Sequence, residues 1–64
     1  MEAYQTRVVE EKAALDEKIE KLKAFMGTER FCALDDAEQE RMDRQLGAMR
    51  EYSGILADRI AYFK

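Results

Sequence analysis

Hydrophobic residues recur at intervals of three, four or seven over the first part of the chain. These intervals place them on one face of an α-helix, because side chains about 3.6 residues apart point the same way. Glu11 takes the place that a hydrophobic residue would have on this face. The pattern predicts an amphipathic helix over residues 2–26 that Gly27 ends in a left-handed conformation. The face carries Tyr4, Val8, Leu15, Ile19, Leu22 and Met26, with Val9 and Phe25 at its flanks.

A second hydrophobic face is longer and has one small polar member, Ser53. Asp35 precedes it, and Glu38 follows three residues later, which is the spacing of an N-cap and a capping box. The pattern therefore predicts a second amphipathic helix over residues 35–63. Its hydrophobic face consists of Met42, Leu46, Met49, Ser53, Leu56, Ile60 and Phe63.

The predicted connection, residues 27–34, contains Phe31, Cys32 and Leu34 and is more apolar than a solvated loop. We expect it to fold back over a helix end, with Cys32 as a small buried hydrophobic residue. Residues 1–64 then form one all-α domain: a helical hairpin of two long amphipathic helices joined by a short, partly apolar loop.

Gly47 and Gly54 lie one heptad apart within the second predicted helix, on a line that continues to Ala61. A glycine inside a helix costs about 1 kcal/mol relative to alanine. The pair favours close approach of another backbone or a ligand on that side. The alternative is that these glycines only loosen an exposed face.

A chain of 64 residues buries little of its own surface. Its single cysteine excludes an intrachain disulfide, and one thiol without any histidine does not make a structural zinc site. No metal or cofactor is therefore predicted. Association with further copies is the remaining source of stability, so the sequence predicts a homo-oligomer.

The net charge of −3 disfavours binding of duplex nucleic acid through a broad basic face. No apolar run has the length of a membrane span, and no signal peptide is visible. A protein without a membrane partner in a reducing cytoplasm is expected. The sequence also has no histidine, nucleophile elbow or glycine-rich phosphate loop, so we do not expect an enzyme.

Binding of a small anion is compatible with this composition. Aromatic rings stack on nucleobases, arginine binds phosphate through two N–H groups, and lysine supplies a mobile charge. Structural roles remain open for each candidate: tyrosines at the edge of the hydrophobic face, an Arg7 pair with Glu11, an Arg59 that covers apolar surface of its neighbour, and solvated lysines. For Glu11, an arginine of another chain is the alternative partner to Arg7. The candidates are Tyr4, Arg7, Lys18, Lys21, Tyr52 and Arg59.

Two stretches resemble a known group of proteins over nearly the whole chain. They are YQTRVVEEKAALDEKIEKLKAF and EQERMDRQLGAMREYSGILADRI. The shared spacings are Tyr-x-x-Arg-Val, Leu-x-x-Lys-Ile-x-x-Leu and Gln-x-x-x-Met-x-x-Tyr-x-x-x-Leu-x-x-Arg-Ile. They are similar to those of small phage proteins related to the crAss-phage small helical family, which includes the anti-CBASS sponges.

The resemblance implies a compact helical oligomer, a hexamer, that binds cyclic di- and trinucleotides between protomers in the host cytoplasm. Sequestration without cleavage would then prevent activation of CBASS effectors. It implies Tyr4 as the ring that stacks on a base, Lys18 and Lys21 as phosphate contacts, and Arg59 with Thr28 as a second pocket. The alternative function is a structural or adaptor homo-oligomer that binds only protein.

Overall fold

The computed structural model describes residues 1–63, in which helices are the only regular elements. Helix α1 spans Ala3–Met26, the one-turn helix α2 spans Glu29–Cys32, and α3 spans Asp36–Tyr62. Helices α1 and α3 lie antiparallel, so the first residues of α1 lie beside the last residues of α3. The predicted all-helical class is confirmed, and α2 lies within the stretch that the sequence assigned to the connection.

The start of α3 follows the predicted capping chemistry only in part. The Asp35 carboxylate accepts a hydrogen bond from the backbone N–H of Glu38, with Oδ1 and N 2.7 Å apart. The prediction of Asp35 as the N-cap is thus confirmed. Glu38 does not complete the capping box, because its carboxylate instead pairs with Arg41 at 2.8 Å.

The prediction of a left-handed cap at Gly27 is wrong, because Gly27 has a φ angle of −91°. Its N–H bonds to the carbonyl of Ala24 at 3.2 Å, and the N–H of Thr28 bonds to the carbonyl of Phe25 at 3.0 Å. These bonds satisfy carbonyls of the last turn of α1 without a positive φ angle. The Thr28 hydroxyl then accepts the N–H of Phe31 at the start of α2.

The connection folds back over α1 as expected. The rings of Phe25 and Phe31 meet edge to face with their centroids 6.2 Å apart, and Phe31 and Leu34 are half-buried. The prediction of a buried Cys32 is wrong, because its side chain is exposed. In a one-turn helix Phe31 occupies the side towards α1, and the next residue is rotated about 100° away from it.

The core is a single seam between the two predicted hydrophobic faces. Among the described residues, Leu56 is the only fully buried large side chain. The buried hydrophobic residues are Val8, Leu15, Ile19, Leu46 and Leu56, with Leu22, Met26, Met49, Ile60 and Phe63 packed against them. Every member comes from one of the two faces, which confirms their orientation.

Polar groups interrupt this seam in two places. The Tyr52 hydroxyl donates a hydrogen bond to the carboxylate of Glu11. Arg7 forms no ion pair with Glu11 within the described part of the chain, so the partner of Glu11 is a tyrosine of the opposite helix. Ser53 donates a hydrogen bond to Asp16 in the same way. Glu11 stays exposed, which avoids the cost of burying a charge.

The hairpin is elongated, measuring 47 × 15 × 13 Å. Its radius of gyration is 14.7 Å, whereas a compact domain of this length has about 11 Å. Its accessible surface is 4962 Å², against about 4,200 Å² for a compact monomer of this mass. One seam therefore leaves apolar surface without cover. The predicted homo-oligomer would cover it and stays a prediction.

The two glycines of α3 do not pack against α1. A Cβ atom built on Gly47 or Gly54 would meet nothing within 4 Å. The expected close approach is thus wrong for the two helices of one hairpin, because α3 faces α1 through its leucines instead. In the single chain this side of α3 is bare.

Candidate ligand-binding site

Three aromatic side chains lie at the end of the hairpin opposite the connection. Tyr4 comes from the first turn of α1, and Tyr62 and Phe63 come from the end of α3. The rings of Tyr4 and Phe63 meet edge to face, with centroids 5.7 Å apart and planes at 81°. We call these three residues the aromatic end.

The backbone of Phe63 makes this arrangement possible. Phe63 leaves the helical conformation with a ψ angle of 140°, while its N–H still bonds to the carbonyl of Ile60 at 3.1 Å. The backbone therefore changes direction directly after the last turn of α3. The Phe63 ring packs against the core and Tyr4. Tyr4 and Tyr62 remain 50% and 78% exposed, so both rings keep surface for a ligand.

Two grooves flank the aromatic end. The larger has a volume of about 390 Å³ and is lined by Tyr4, Ile55, Asp58, Arg59, Tyr62 and Phe63. The smaller has a volume of about 240 Å³ and is lined by Tyr4, Gln5, Tyr62 and Phe63. Sites for small molecules usually have about 300–1,000 Å³, so the larger groove lies at the lower end of this range in one chain.

The larger groove contains one cation and one anion. Both Asp58 and Arg59 are exposed, and neither forms an ion pair with another residue between positions 1 and 63. The guanidinium of Arg59 presents N–H groups in a planar fork that matches a phosphate or carboxylate. The groove therefore combines rings for stacking with a donor for an anion.

Hydrogen bonds in the first turn of α1 hold the backbone at Tyr4 in place. The backbone N–H of Glu2 donates to Oε1 of Gln5 at 2.8 Å, and the N–H groups of Gln5 and Thr6 bond to the carbonyl of Glu2. Gln5 is itself buried, with 7% of its surface exposed. Tyr4 thus sits in a helical turn held by its own hydrogen bonds rather than in a loose terminus.

The structure brings together two of the seven candidate residues, Tyr4 and Arg59, in the larger groove. Arg7 is exposed on α1 and lines neither groove. Lys18 and Lys21 are exposed. Lys18 lies about 21 Å further along α1 than Tyr4, because an α-helix rises about 1.5 Å per residue, and Lys21 lies further still. In a single hairpin these three residues do not share a groove with Tyr4.

Two of the remaining residues already have partners in the chain. Lys21 pairs with Glu17 at 3.1 Å across an exposed turn of α1. The Thr28 hydroxyl, at the opposite end of the hairpin from Arg59, donates to the carbonyl of Phe25 at 2.6 Å and caps α2. Thr28 and Arg59 therefore belong to one pocket only if another copy brings them together.

Sequence reasoning missed four residues of the larger groove: Ile55, Asp58, Tyr62 and Phe63. A signal for the two aromatic residues was present, because an antiparallel hairpin places the first and last turns of its helices side by side. A tyrosine in the first turn of α1 and a Tyr-Phe pair at the end of α3 then share one end. The turn of the backbone at Phe63 has no comparable signal.

Two further properties of the described residues concern membranes and metal ions. No helix within residues 1–63 is long and apolar enough to cross a membrane. The same residues contain no cluster of three or more cysteine, aspartate or glutamate side chains placed to hold a metal ion. The described chain is a helical hairpin, and Tyr4, Tyr62, Phe63 and Arg59 help to line a groove at one of its ends.

Comparison with known proteins assigns the family. The Sequestin family model matches residues 2–62, and the chain belongs to this family. It is also 41% identical over 64 residues to an uncharacterized 7.5 kDa protein encoded in the denB-rIIB intergenic region of Enterobacteria phage T4, with the whole of both chains covered. No solved structure matches. The family name and the phage relative agree with a phage protein that sequesters a ligand.

Proposed function

We propose that this chain sequesters a nucleotide signal of host defence in the host cytoplasm and holds it without cleavage. The ligands that we propose are cyclic di- and trinucleotides bound between protomers, so that CBASS effectors stay inactive. One observation carries the proposal: Tyr4, Tyr62 and Arg59 line a single groove. The family name and the phage relative support sequestration in general terms.

The chemistry of the groove suits a nucleotide. Stacking of a base on an aromatic ring contributes about 1–3 kcal/mol, and a guanidinium binds phosphate oxygens in pairs. The rings of Tyr4 and Tyr62 and the guanidinium of Arg59 are exposed. Arg59 forms no ion pair with another residue of the described chain that would compete with a ligand. The chain has no histidine, so the commonest general base is missing, and storage of an intact ligand is the simpler role.

The size of the groove favours a site completed by a second copy. At about 390 Å³, it is small for a whole cyclic dinucleotide, whereas two grooves related by a two-fold axis offer matched rings and guanidinium groups. A three-fold junction would present three such sets to a cyclic trinucleotide. A hexamer with D3 symmetry contains both kinds of axis. Each further copy brings one more Arg59 guanidinium to the site, together with its Asp58 carboxylate.

Isothermal titration calorimetry tests the proposal directly. The ligands are cyclic dinucleotides, cyclic trinucleotides and mononucleotides, and each is recovered by chromatography to show that it is intact. We expect heat from at least one compound and a loss of about tenfold or more in affinity for Arg59→Gln, as for a charged hydrogen bond. Arg50→Gln, an exposed arginine of α3 outside the groove, should bind like the unaltered protein. Absence of heat from every compound would contradict the proposal.

A structural or adaptor oligomer is the second candidate. It is favoured by the bare side of α3 at Gly47 and Gly54 and by Ile55, which is 50% exposed. This role predicts that Tyr4→Ala and Lys21→Ala alter assembly or nothing, with no effect on a small molecule. If the unaltered protein binds a nucleotide and Tyr4→Ala does not, a structural or adaptor role is excluded as the sole function.

A further inference from the structure

A carboxylate such as that of Asp58 is not expected in a groove that binds an anion. A carboxylate beside a bound phosphate repels it, and this repulsion weakens binding unless the carboxylate itself accepts hydrogen bonds from the ligand. Asp58 nevertheless lines the same groove as Arg59, its neighbour in the chain. The two side chains give the groove one donor group and one group that, when ionised, only accepts.

The position of Asp58 near the C-terminus of α3 also does not favour a carboxylate. It lies near the C-terminus of α3, which ends at Tyr62, where the helix dipole favours cations over anions. Arg59 in the last turn suits the dipole, whereas Asp58 does not. Within residues 1–63 Asp58 has no ion pair that offsets this unfavourable interaction with the helix dipole. At the other end of α3, by contrast, the carboxylate of Glu38 pairs with Arg41.

We propose that Asp58 accepts hydrogen bonds from the ribose hydroxyls of the ligand, and so makes the groove selective for ribonucleotides with a free 2′-hydroxyl. This inference rests on the proposed function. In a nucleotide the ribose lies between the base and the phosphate. A ring, a carboxylate and a guanidinium in one groove match these three parts in kind: stacking surface, hydroxyl acceptor and anion donor.

A carboxylate that recognises ribose in this way is a known solution in nucleotide sites, where an acidic side chain binds the 2′-hydroxyl. The same contact separates ribose from deoxyribose, since the 2′-hydroxyl is the group that differs between them. A ligand that lacks this hydroxyl leaves the carboxylate facing the phosphate without compensation. Discrimination should therefore come from Asp58 rather than from the rings, which stack on either kind of nucleotide.

The test is calorimetric titration of the full chain with adenine and guanine nucleotides, as mononucleotides and as 3′–5′-linked cyclic dinucleotides, each paired with its 2′-deoxy analogue. We expect the unaltered protein to bind the ribonucleotide of a pair about tenfold or more tightly, as for one hydrogen bond to a charged group. Asp58→Asn should narrow the difference by weakening the ribonucleotide, because a neutral amide oxygen accepts a weaker hydrogen bond than a carboxylate. Asp43→Asn, an exposed aspartate of α3 outside the groove, should keep the difference. Circular dichroism of each variant shows whether it is folded.

The outcomes separate this inference from the proposed function. Equal affinity for both members of a pair would overturn the role of Asp58 and leave sequestration of nucleotides intact. Tighter binding of both members by Asp58→Asn would also overturn it, because the carboxylate would then act only by repulsion. Binding of no compound in the panel would overturn both.

Discussion

Ser53 of α3 donates a hydrogen bond to the carboxylate of Asp16 on α1, with the two oxygen atoms 2.5 Å apart. The other oxygen of this carboxylate accepts from Lys12 at 2.7 Å. The single polar member of the second hydrophobic face thus has a charged partner across the seam. The hydrogen bonds from Lys12, and then from Ser53, lower the pKa of Asp16 below its ordinary value of 3.8.

This lowered pKa predicts a loss of stability in acid. The ionised form of Asp16 stabilises the folded chain above pH 3.8, and its contribution disappears as the pH falls through the folded pKa. We expect the melting temperature of the unaltered protein to exceed that of Asp16→Asn at neutral pH, and the difference to shrink between about pH 5 and about pH 2. Thermal melts followed by circular dichroism measure this. Asp43→Asn serves as the control, and parallel curves for Asp16→Asn and the unaltered protein at every pH would contradict the prediction.

The contact between Tyr52 and Glu11 predicts a coupling between the two helices. Replacing one hydrogen-bonding partner and then both in a double-mutant cycle isolates their interaction. For Tyr52→Phe and Glu11→Ala we expect a coupling of about 0.5–1 kcal/mol, because the pair lies at an exposed edge of the seam. Urea denaturation of the four proteins gives this value. Strict additivity would show that the pair does not hold the helices in register.

Leu56 is the most deeply buried residue of the core, since none of its surface is exposed. Leu56→Ala should cost about 2–5 kcal/mol, which is comparable to the whole stability of a domain this small. We expect a largely unfolded protein by circular dichroism at room temperature. Val9→Ala also removes a branched aliphatic side chain, but one that is 37% exposed, and it should stay folded. A folded Leu56→Ala would mean that the core lies elsewhere.

Gly54→Ala distinguishes a bare face of α3 from a covered one. The added methyl group meets nothing in the single chain, so the substitution should stabilise the dilute hairpin by about 0.5–1 kcal/mol. If another copy packs on this side, the same methyl group weakens association. We expect both effects, measured by thermal melts and by sedimentation over a range of concentrations. Unchanged sedimentation would show that assembly uses a different surface.

Much of the fold follows from the hydrophobic pattern because the pattern records which residues face the seam. Val8 and Leu46, for example, were assigned to their helix faces correctly. The partner of Glu11 could not be predicted in the same way, since it depends on the register between the helices, and Tyr52 lies 41 positions away. Cys32 was misjudged because hydrophobicity alone does not give the rotation of a one-turn helix.

The candidate site was less predictable than the fold. Tyr4 and Arg59 could be chosen by their chemistry, and the hairpin places them in one groove. The antiparallel hairpin also places Tyr62 at the same end as Tyr4, whereas Asp58 became relevant only through the shape of the groove. The grouping of Lys18 and Lys21 with this site depends on the arrangement of several copies, which the pattern of one chain does not specify.

The central claim is that several copies together hold an intact nucleotide. Native mass spectrometry of the protein, purified from cells that produce cyclic nucleotide signals, tests it most directly. We expect an oligomer whose mass exceeds the sum of its chains by that of one or more nucleotides, and release of these nucleotides unchanged on denaturation. Single chains without added mass, or an oligomer without bound nucleotide, would contradict the account.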